Sequence, residues 1–259
     1  MIKRNQDFKK NIMGIVLAGV FSLSVSACAS NPDAAHKSQT EMSDPFEPVN
    51  RAVFGFNDIL DRIIIEPAAK AYHFVMPQVV QNSIQSFMRN LKSPIIVANN
   101  LLQGDVGGAG VTTARFLINS TIGFAGLADV AETTGLSYEP EDFGQTMAVW
   151  GMPSGPYLVL PILGPSSIRD TAGLVVDSYA DPVRIVAFNT DNEWIYYTRG
   201  AVEGLDTRAR LIDTIKDLRK NSLDYYASIR SIYTQKRQSL IRDEHSGSVA
   251  IPDYEDENY

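Results

Sequence analysis

The sequence contains few of the side chains on which enzymes and metal sites depend. It has one cysteine and three histidines in 259 residues. No set of histidine, cysteine, aspartate and glutamate residues has the spacing of metal ligands, and no phosphate-binding loop or nucleophile elbow is present. A single cysteine excludes an intramolecular disulfide, so packing must hold the fold together. These absences argue against an enzyme and predict that the protein uses no cofactor.

Positive charge is also scarce. The chain carries 23 lysines and arginines against 30 aspartates and glutamates, a formal net charge of −7. No basic stripe is visible, so we expect no nucleic-acid partner. Four acidic residues crowd the last seven positions, which predicts a disordered acidic tail over residues 243–259.

Long apolar runs are absent except near the N-terminus. The run from Ile12 to Val25 is too short for a stable membrane span, and it follows a basic segment. This pattern is typical of a secretory signal peptide over residues 1–27. Val25-Ser26-Ala27-Cys28 resembles the bacterial lipobox, in which the cysteine is acylated and becomes the first mature residue. The alternative is an ordinary signal with a chance cysteine.

The lipobox interpretation makes Cys28 the predicted lipidation site, with acyl chains holding the protein to a bilayer. Ala29, rather than aspartate, follows the cysteine and resembles an outer-membrane sorting signal. Residues 28–43 are small and polar, which predicts a lipidated flexible tether.

Two amphipathic helices are predicted first, over residues 50–65 and 79–92, because their apolar residues recur at spacings of three and four. Pro67 is expected to end or bend the first helix, and Pro94 to restart the chain after the second. Residues 95–131 are rich in glycine and nearly apolar on all sides. Such helices are buried in protein or in lipid, and both interpretations stay open.

Glycine and proline are frequent in residues 132–165, which predicts an irregular or hairpin loop. Helices resume with Ser166 or Ser167 as the cap, and Asp181-Pro182 breaks the chain again. Residues 183–192 are predicted to be a connection. A long amphipathic segment then runs from about Trp194 to Arg242, with a break at Asn221-Ser222. The predicted fold is therefore mainly α.

Several stretches together resemble the MlaA/VacJ family of outer-membrane lipoproteins. They are, in chain order, Asp44-Pro45-Phe46-Glu47 with Asn50-Arg51; Phe54-Gly55-Phe56-Asn57; Asn99 to Asp105; Arg115 to Gly123; Asp142 to Thr146; Gly155-Pro156-Tyr157 with Leu160-Pro161; Gly164-Pro165-Ser166 with Arg169-Asp170; and Asp206-Thr207-Arg208-Ala209. The resemblance covers about residues 44–235 and marks residues 44–242 as one helical domain.

The resemblance implies a ring-like bundle of amphipathic and apolar helices with an irregular hairpin, embedded in the periplasmic leaflet of the outer membrane beside a trimeric porin. It implies that an amphipathic channel takes mislocalised phospholipids from the outer leaflet to a soluble periplasmic lipid carrier and so maintains lipid asymmetry. The alternative function is a structural adaptor lipoprotein that binds porin and a periplasmic partner without moving lipid. A lipid hydrolase is a third possibility, which the missing nucleophile–base pair disfavours.

A phospholipid headgroup needs a polar path, because burying an unpaired charge is costly. The candidates for lining this path are Asp170, Asp177, Glu203, Asp206, Arg208 and Asp213. Helix capping and surface ion pairs are the alternative roles for these six. Thr171 and Leu174 stand where the resemblance would place further acids.

The resemblance also implies a pore entrance at Phe54, Phe56 and Asn57. It implies a gating hairpin over about residues 123–161. The candidate hinges are Gly123, Gly126, Gly155 and Gly164, since glycine suits hinge motion.

Overall fold

The structure is a computed structural model that describes residues 42–242. The predicted signal peptide, the lipidation site Cys28, most of the tether and the acidic tail lie outside the described residues. Those expectations therefore stay predictions.

Helices make up most of the described chain, which confirms the mainly α prediction. They are α1 (Glu47–Leu60), α2 (Glu66–Val75), α3 (Gln78–Gln103), α4 (Val106–Thr121), α5 (Val130–Thr133), α6 (Phe143–Val149), α7 (Ile168–Ala180), α8 (Pro182–Asn189), α9 (Glu193–Arg210), α10 (Ile212–Asn221) and α11 (Tyr225–Ile241). Two short strands, β1 (Tyr157–Leu160) and β2 (Gly164–Ser167), form an antiparallel hairpin in which Tyr157 pairs with Ser167. None of the helices in residues 42–242 is both long enough and apolar enough to cross a bilayer.

Of the two outcomes predicted for Pro67, an end or a bend of the first helix, the end is wrong. A π-helical turn, Asp61–Ile65, joins α1 to α2, and Pro67 lies in the first turn of α2. The amide of Glu66 bonds to the Asp61 carbonyl five residues back. Proline lacks a backbone N–H donor, so it is tolerated where a helix begins. Pro67 follows the π turn, at which the backbone hydrogen bonds shift by one residue, and the helix therefore continues through it.

The expectation that Pro94 restarts the chain is also wrong, because α3 runs through it. The neighbouring Ser93 and Asn90 are buried, and the helix packs along α4 and against α9. Tertiary packing therefore maintains a helix that a local proline would weaken.

Residues 95–131 form the second half of α3, then α4, a turn and α5. They are not apolar on all sides. The inward faces are polar, with Asn99, Arg115 and Asn119 buried, while Leu101 and Leu117 on the outward faces are exposed. The interpretation as an apolar hairpin buried inside a soluble core is therefore wrong.

The segment 132–165 contains the predicted β-like stretch as strand β1, but also the unpredicted helix α6. Asp142 caps α6 by accepting a hydrogen bond from the Gln145 amide at 2.9 Å. Likewise, α8 occupies the predicted connection over residues 183–192, and Asp181 caps it by accepting from the Val183 amide at 2.8 Å. Short helices with an aspartate cap carry too little periodicity to stand out in sequence.

The start of α7 and the breaks after α7 and α10 agree with the sequence, whereas the break between α9 and α10 was not predicted. Ser167 caps α7, since its hydroxyl accepts from the Asp170 amide at 3.0 Å. Helix α7 ends before Asp181-Pro182, and the expected break separates α10 from α11 at Ser222. A further break at Leu211 separates α9 from α10.

The hairpin packs on α1 and α11 around a small aromatic cluster. Tyr157, Val159 and Tyr226 are buried there, with Phe54 packed against them. The Asn50 side chain joins helix to strand: its Nδ2 donates to the Tyr157 carbonyl at 3.0 Å, and its Oδ1 accepts from the Val159 amide at 2.9 Å. The amide group thus pairs with strand β1 as a neighbouring strand would.

Candidate functional site

The distribution of polar and apolar side chains is inverted relative to a water-soluble domain. Among the described residues, buried polar and charged side chains outnumber buried apolar ones two to one. Large apolar side chains are exposed on most elements, for example Ile63 in the π turn, Phe74 in α2 and Phe124 after α4. Soluble monomers rarely expose such extended apolar surface, so this exterior suits contact with hydrocarbon.

An amphipathic cavity of about 440 Å³ opens within the helical domain. Its lining comes from α3, α9, α11 and the segment before α6, and consists of Gln85, Met88, Arg89, Lys92, Tyr138, Pro140, Glu203, Asp206, Thr207, Lys236 and Leu240. Cations, carboxylates and apolar groups thus meet in one space. Its volume lies within the range of small-molecule sites.

The charged groups of this cavity are held in defined positions. Lys92 forms an ion pair with Glu203. The Arg89 guanidinium lies 4.6 Å from the centre of the Tyr138 ring, a cation–π contact. Burial raises the pKa of Tyr138 to about 12, so its hydroxyl stays neutral.

A predicted path residue, Asp206, is buried at the edge of the same cavity. It accepts hydrogen bonds from the Tyr72 hydroxyl at 2.9 Å and from Arg210 Nε at 2.9 Å. Burial, followed by the hydrogen bond to Asp206, raises the pKa of Tyr72 to about 12. The structure therefore brings two of the six candidates, Glu203 and Asp206, into one cavity.

Asp213, a third candidate, lines a second cavity of about 480 Å³. Lys70, His73 and Arg210 also line this cavity, together with apolar and amide side chains. Asp213 itself is exposed.

Asp170 belongs to a buried ionic network that joins α6, α7 and α11. Arg237 donates to Asp170 at 2.9 Å and to both oxygens of Asp142 at 2.6 and 2.7 Å. The Tyr233 hydroxyl donates to Asp170 at 2.6 Å, and Arg169 pairs with it at 3.0 Å. Burial alone would raise the pKa of Asp170, but Arg237 and these further partners hold it below its ordinary value. The carboxylate therefore stays charged and links three helices.

Arg208 belongs to a second ionic network, at the π turn. Its guanidinium binds both oxygens of Asp61 at 2.7 and 3.0 Å, and Arg219 reaches Asp61 at 2.6 Å and Glu66 at 2.9 Å. Burial would raise the pKa of Asp61, but the hydrogen bonds from the two arginines lower it. The network fastens α9 and α10 to the junction of α1 and α2.

Asp177 points inward from α7, on the same side as Asp170. Its two oxygens accept from Asn99 Nδ2 at 3.0 Å and from the Phe143 amide at 2.8 Å. Burial raises the pKa of Asp177, although both hydrogen bonds oppose the shift. This carboxylate ties α7 to α3 and α6.

The three residues of the implied pore entrance lie on α1 and have different surroundings. Phe54 packs against Tyr225 and Tyr226, with ring centres 5.1 and 5.4 Å away. Phe56 is exposed. Asn57 donates to the Leu160 carbonyl at 2.9 Å and accepts from the amide of Ile162 at 2.8 Å, which fixes the tip of the hairpin.

The four candidate hinge glycines also differ from one another. A Cβ on Gly123 would lie 2.3 Å from the Ala128 carbonyl oxygen, and one on Gly126 would lie 2.6 Å from Asn90. Both positions therefore need glycine for close packing. Gly155 and Gly164 have φ of 68° and 83°, which glycine adopts without strain. Their hinge role stays a prediction.

The cations of the cavity were missed by sequence reasoning. Arg89 and Lys92 lie three residues apart on α3, and Lys236 is on α11. The apolar stripe of α3 marked the buried face, so its charged residues resembled an ordinary solvated surface. The three-residue spacing of Arg89 and Lys92 was the available signal, because it places both on one side of a helix.

The chain resembles known lipoproteins over most of its described length. A family model described as MlaA lipoprotein matches residues 42–240. The sequence is 36% identical over 203 residues to a protein of Rickettsia prowazekii (strain Madrid E), covering 78% of this chain and 79% of that one. It is 33% identical over 207 residues to the intermembrane phospholipid transport system lipoprotein MlaA of Escherichia coli (strain K12), covering 78% and 80% of the two chains.

A relative of the same name in Haemophilus influenzae is 30% identical over 237 residues, which covers 88% of this chain and 90% of that one. The fold is also similar to a solved structure described as the structural basis for maintenance of bacterial outer membrane lipid asymmetry. The TM-score is 0.68 at 34% identity, covering 77% of this chain and 99% of that chain.

Proposed function

The chain belongs to the MlaA lipoprotein family, and we propose that it moves phospholipids from the outer leaflet of the outer membrane toward the periplasm. The proposed result is the maintenance of lipid asymmetry between the two leaflets. The transfer needs no bond to be made or broken, so the protein acts by offering a path.

The observation that carries this proposal is the inverted distribution of polarity. Exposed apolar side chains such as Ile63, Phe74 and Leu117 give the domain a surface compatible with acyl chains. Buried groups such as Arg115 and Asp206 give it a polar interior. A phospholipid has the matching arrangement, since its headgroup requires polar partners while its acyl chains do not.

The amphipathic cavity supports a path for the headgroup. Glu203 and Asp206 lie in its wall, beside the apolar side chains of Met88 and Leu240. Asp170, Asp177 and Arg208 stabilise the surrounding helices through ionic and hydrogen-bonded networks, and Asp213 lies at the second cavity. We include all six in the proposed channel, with Glu203 and Asp206 in direct contact with the passing headgroup, Asp170, Asp177 and Arg208 holding the helices of its wall, and Asp213 at the second cavity.

The gate is proposed to be the segment of residues 123–161, with the glycines named above as hinges and Phe54, Phe56 and Asn57 at the entrance. Acylation of Cys28 would anchor the protein in the periplasmic leaflet. The proposed partners are a trimeric porin and a soluble periplasmic lipid carrier, which accepts the phospholipid.

The experiment that tests the function is deletion of the gene, followed by measurement of phospholipid in the outer leaflet. A membrane-impermeant amine reagent labels surface aminophospholipids in intact cells. We expect labelling to rise on deletion and to return to the wild-type level with the full chain. Unchanged labelling on deletion would overturn the proposal.

A second measurement separates transport from a purely structural adaptor. Liposomes with and without the purified full chain are compared. The quantity measured is the rate at which a labelled phospholipid from the leaflet opposite the protein passes through the protein's own leaflet to the solution. Faster transfer with the protein supports a path for lipid, whereas equal rates would support the adaptor.

A further inference from the structure

Two cations in the amphipathic cavity have no carboxylate partner among residues 42–242. Lys92 is paired with Glu203, but within residues 42–242 no ion pair engages Arg89 or Lys236. Both line the same space as Lys92. Among the described residues that line the cavity, three cations therefore face two carboxylates, and one of these, Asp206, is also paired with Arg210, so the net charge of this lining is positive.

The geometry holds one of these cations ready for a ligand. The Arg89 guanidinium lies 4.6 Å from the centre of the Tyr138 ring. Its N–H donors do not bind any carboxylate within the described residues. Lys236 is exposed on α11 and faces the same cavity. Arginine and lysine together are the usual partners of a phosphate group, since arginine offers a planar fork and lysine a mobile point charge.

We propose that Arg89, Lys92 and Lys236 form the binding site for the phosphate of a phospholipid, with the acyl chains leaving past Met88 and Leu240. Glu203 lies beside Lys92 and would accept hydrogen bonds from an ammonium or hydroxyl group at the end of the headgroup. This site rests on the proposed function and names the chemistry that the path recognises: a phosphodiester next to apolar chains.

The test measures binding of dihexanoylphosphatidylglycerol to the purified full chain in a non-ionic detergent. Lys236→Gln removes one unpaired cation from an exposed position, so folding should be preserved. Lys216→Gln is the matched control, because Lys216 is exposed on α10 and does not line the cavity. We expect Lys236→Gln to weaken binding about tenfold, the value of one charge-assisted hydrogen bond, and Lys216→Gln to leave it unchanged.

Two further probes separate a lipid headgroup from a free phosphate. Dihexanoylglycerol has the chains without the phosphate, and inorganic phosphate has the charge without the chains. The proposal predicts that both bind much more weakly than the phospholipid. If inorganic phosphate binds as tightly as the phospholipid, the cavity is a site for free phosphate and the proposal is overturned.

The same variants expressed in the deletion strain distinguish this proposal from the wider function. In one outcome, the wild-type chain returns surface labelling to its low level, and Lys236→Gln binds and clears lipid as well as Lys216→Gln does. The phosphate site is then wrong and the transport function stands. If deletion itself leaves surface phospholipid unchanged, the transport function fails whatever the binding data show.

Discussion

The contacts that join helix α1 to the hairpin allow a quantitative prediction. Asn50 is buried, and it bonds to the carbonyl of Tyr157 and the amide of Val159, both of which are also buried. Asn57 lies two turns later on the same side of α1 and makes the equivalent pair of bonds at the hairpin tip. The tip residue Ile162 is 69% exposed. The two asparagines thus make similar bonds to the hairpin, buried at Asn50 and half-buried or exposed at Asn57, and Asn50 Nδ2 also donates to Asp44 at 2.8 Å.

The cost of removing each side chain follows from that difference. In Asn50→Ala, a backbone carbonyl and a backbone amide are left buried without partners, at about 1–3 kcal/mol each, so we expect a loss of about 2–6 kcal/mol. In Asn57→Ala, water replaces the lost partners at the exposed tip. The expected loss there is only about 0.5–1.5 kcal/mol.

Denaturant unfolding of the full chain in detergent, followed by circular dichroism, measures both losses. Hydrogen exchange of the hairpin adds a local probe, because the Val159 amide should lose protection in Asn50→Ala and keep it in Asn57→Ala. Equal destabilisation by the two substitutions would refute the argument that burial sets the cost of the lost bonds.

Three further predictions concern helix packing, the ionic networks and pH. Gly173→Ala should destabilise the protein strongly, since its Cβ would lie 2.4 Å from a backbone nitrogen of α6. Gly200→Ala has open space around it in α9 and should stabilise the protein by about 0.5–1 kcal/mol. Thermal melting in detergent compares the two variants. Arg237→Met should cost about 1.5–3 kcal/mol in denaturant unfolding, because Asp142 and Asp170 lose their charge-assisted hydrogen bonds to it while Arg169 still pairs with Asp170, and a loss below that of an exposed ion pair would contradict the network. The folded pKa of Asp61 lies below its unfolded value near 3.8, so its contribution to stability is full above that value and is lost as pH falls through the folded pKa. Acid titration of unfolding should therefore be shallower in Asp61→Asn, and identical slopes would contradict the lowered pKa.

Much of the helical fold could be predicted from the sequence, because long amphipathic stripes mark helices whatever surrounds them. The start of α7 at Ser167 and the breaks at Asp181 and Ser222 followed from caps and breakers alone. The effects of Pro67 and Pro94 could not be predicted, since a π turn and the packing of α3 decide them. Local rules describe the chain by itself, whereas these outcomes depend on partners distant in sequence.

Less of the candidate site than of the fold could be predicted from the sequence. Acidic residues on helices after Ser166 suggested a polar path, and Glu203 and Asp206 do line a cavity. The cations opposite them come from α3 and α11, which sequence gives no reason to bring together. Periodicity identifies two faces of a helix, but it does not say whether the apolar face meets protein or lipid.

Contact between the exposed apolar surface and acyl chains is tested most directly with spin labels placed on that surface, in the full chain reconstituted in liposomes. Labels at Phe74 and Leu117, where the native side chains are 89% and 56% exposed, are compared with one at Lys216 on the charged helix α10. We expect the first two labels to collide mainly with oxygen, which concentrates in hydrocarbon, and the third to collide mainly with a water-soluble nickel chelate. Greater access of the chelate to the labels at positions 74 and 117 would contradict contact between this surface and acyl chains.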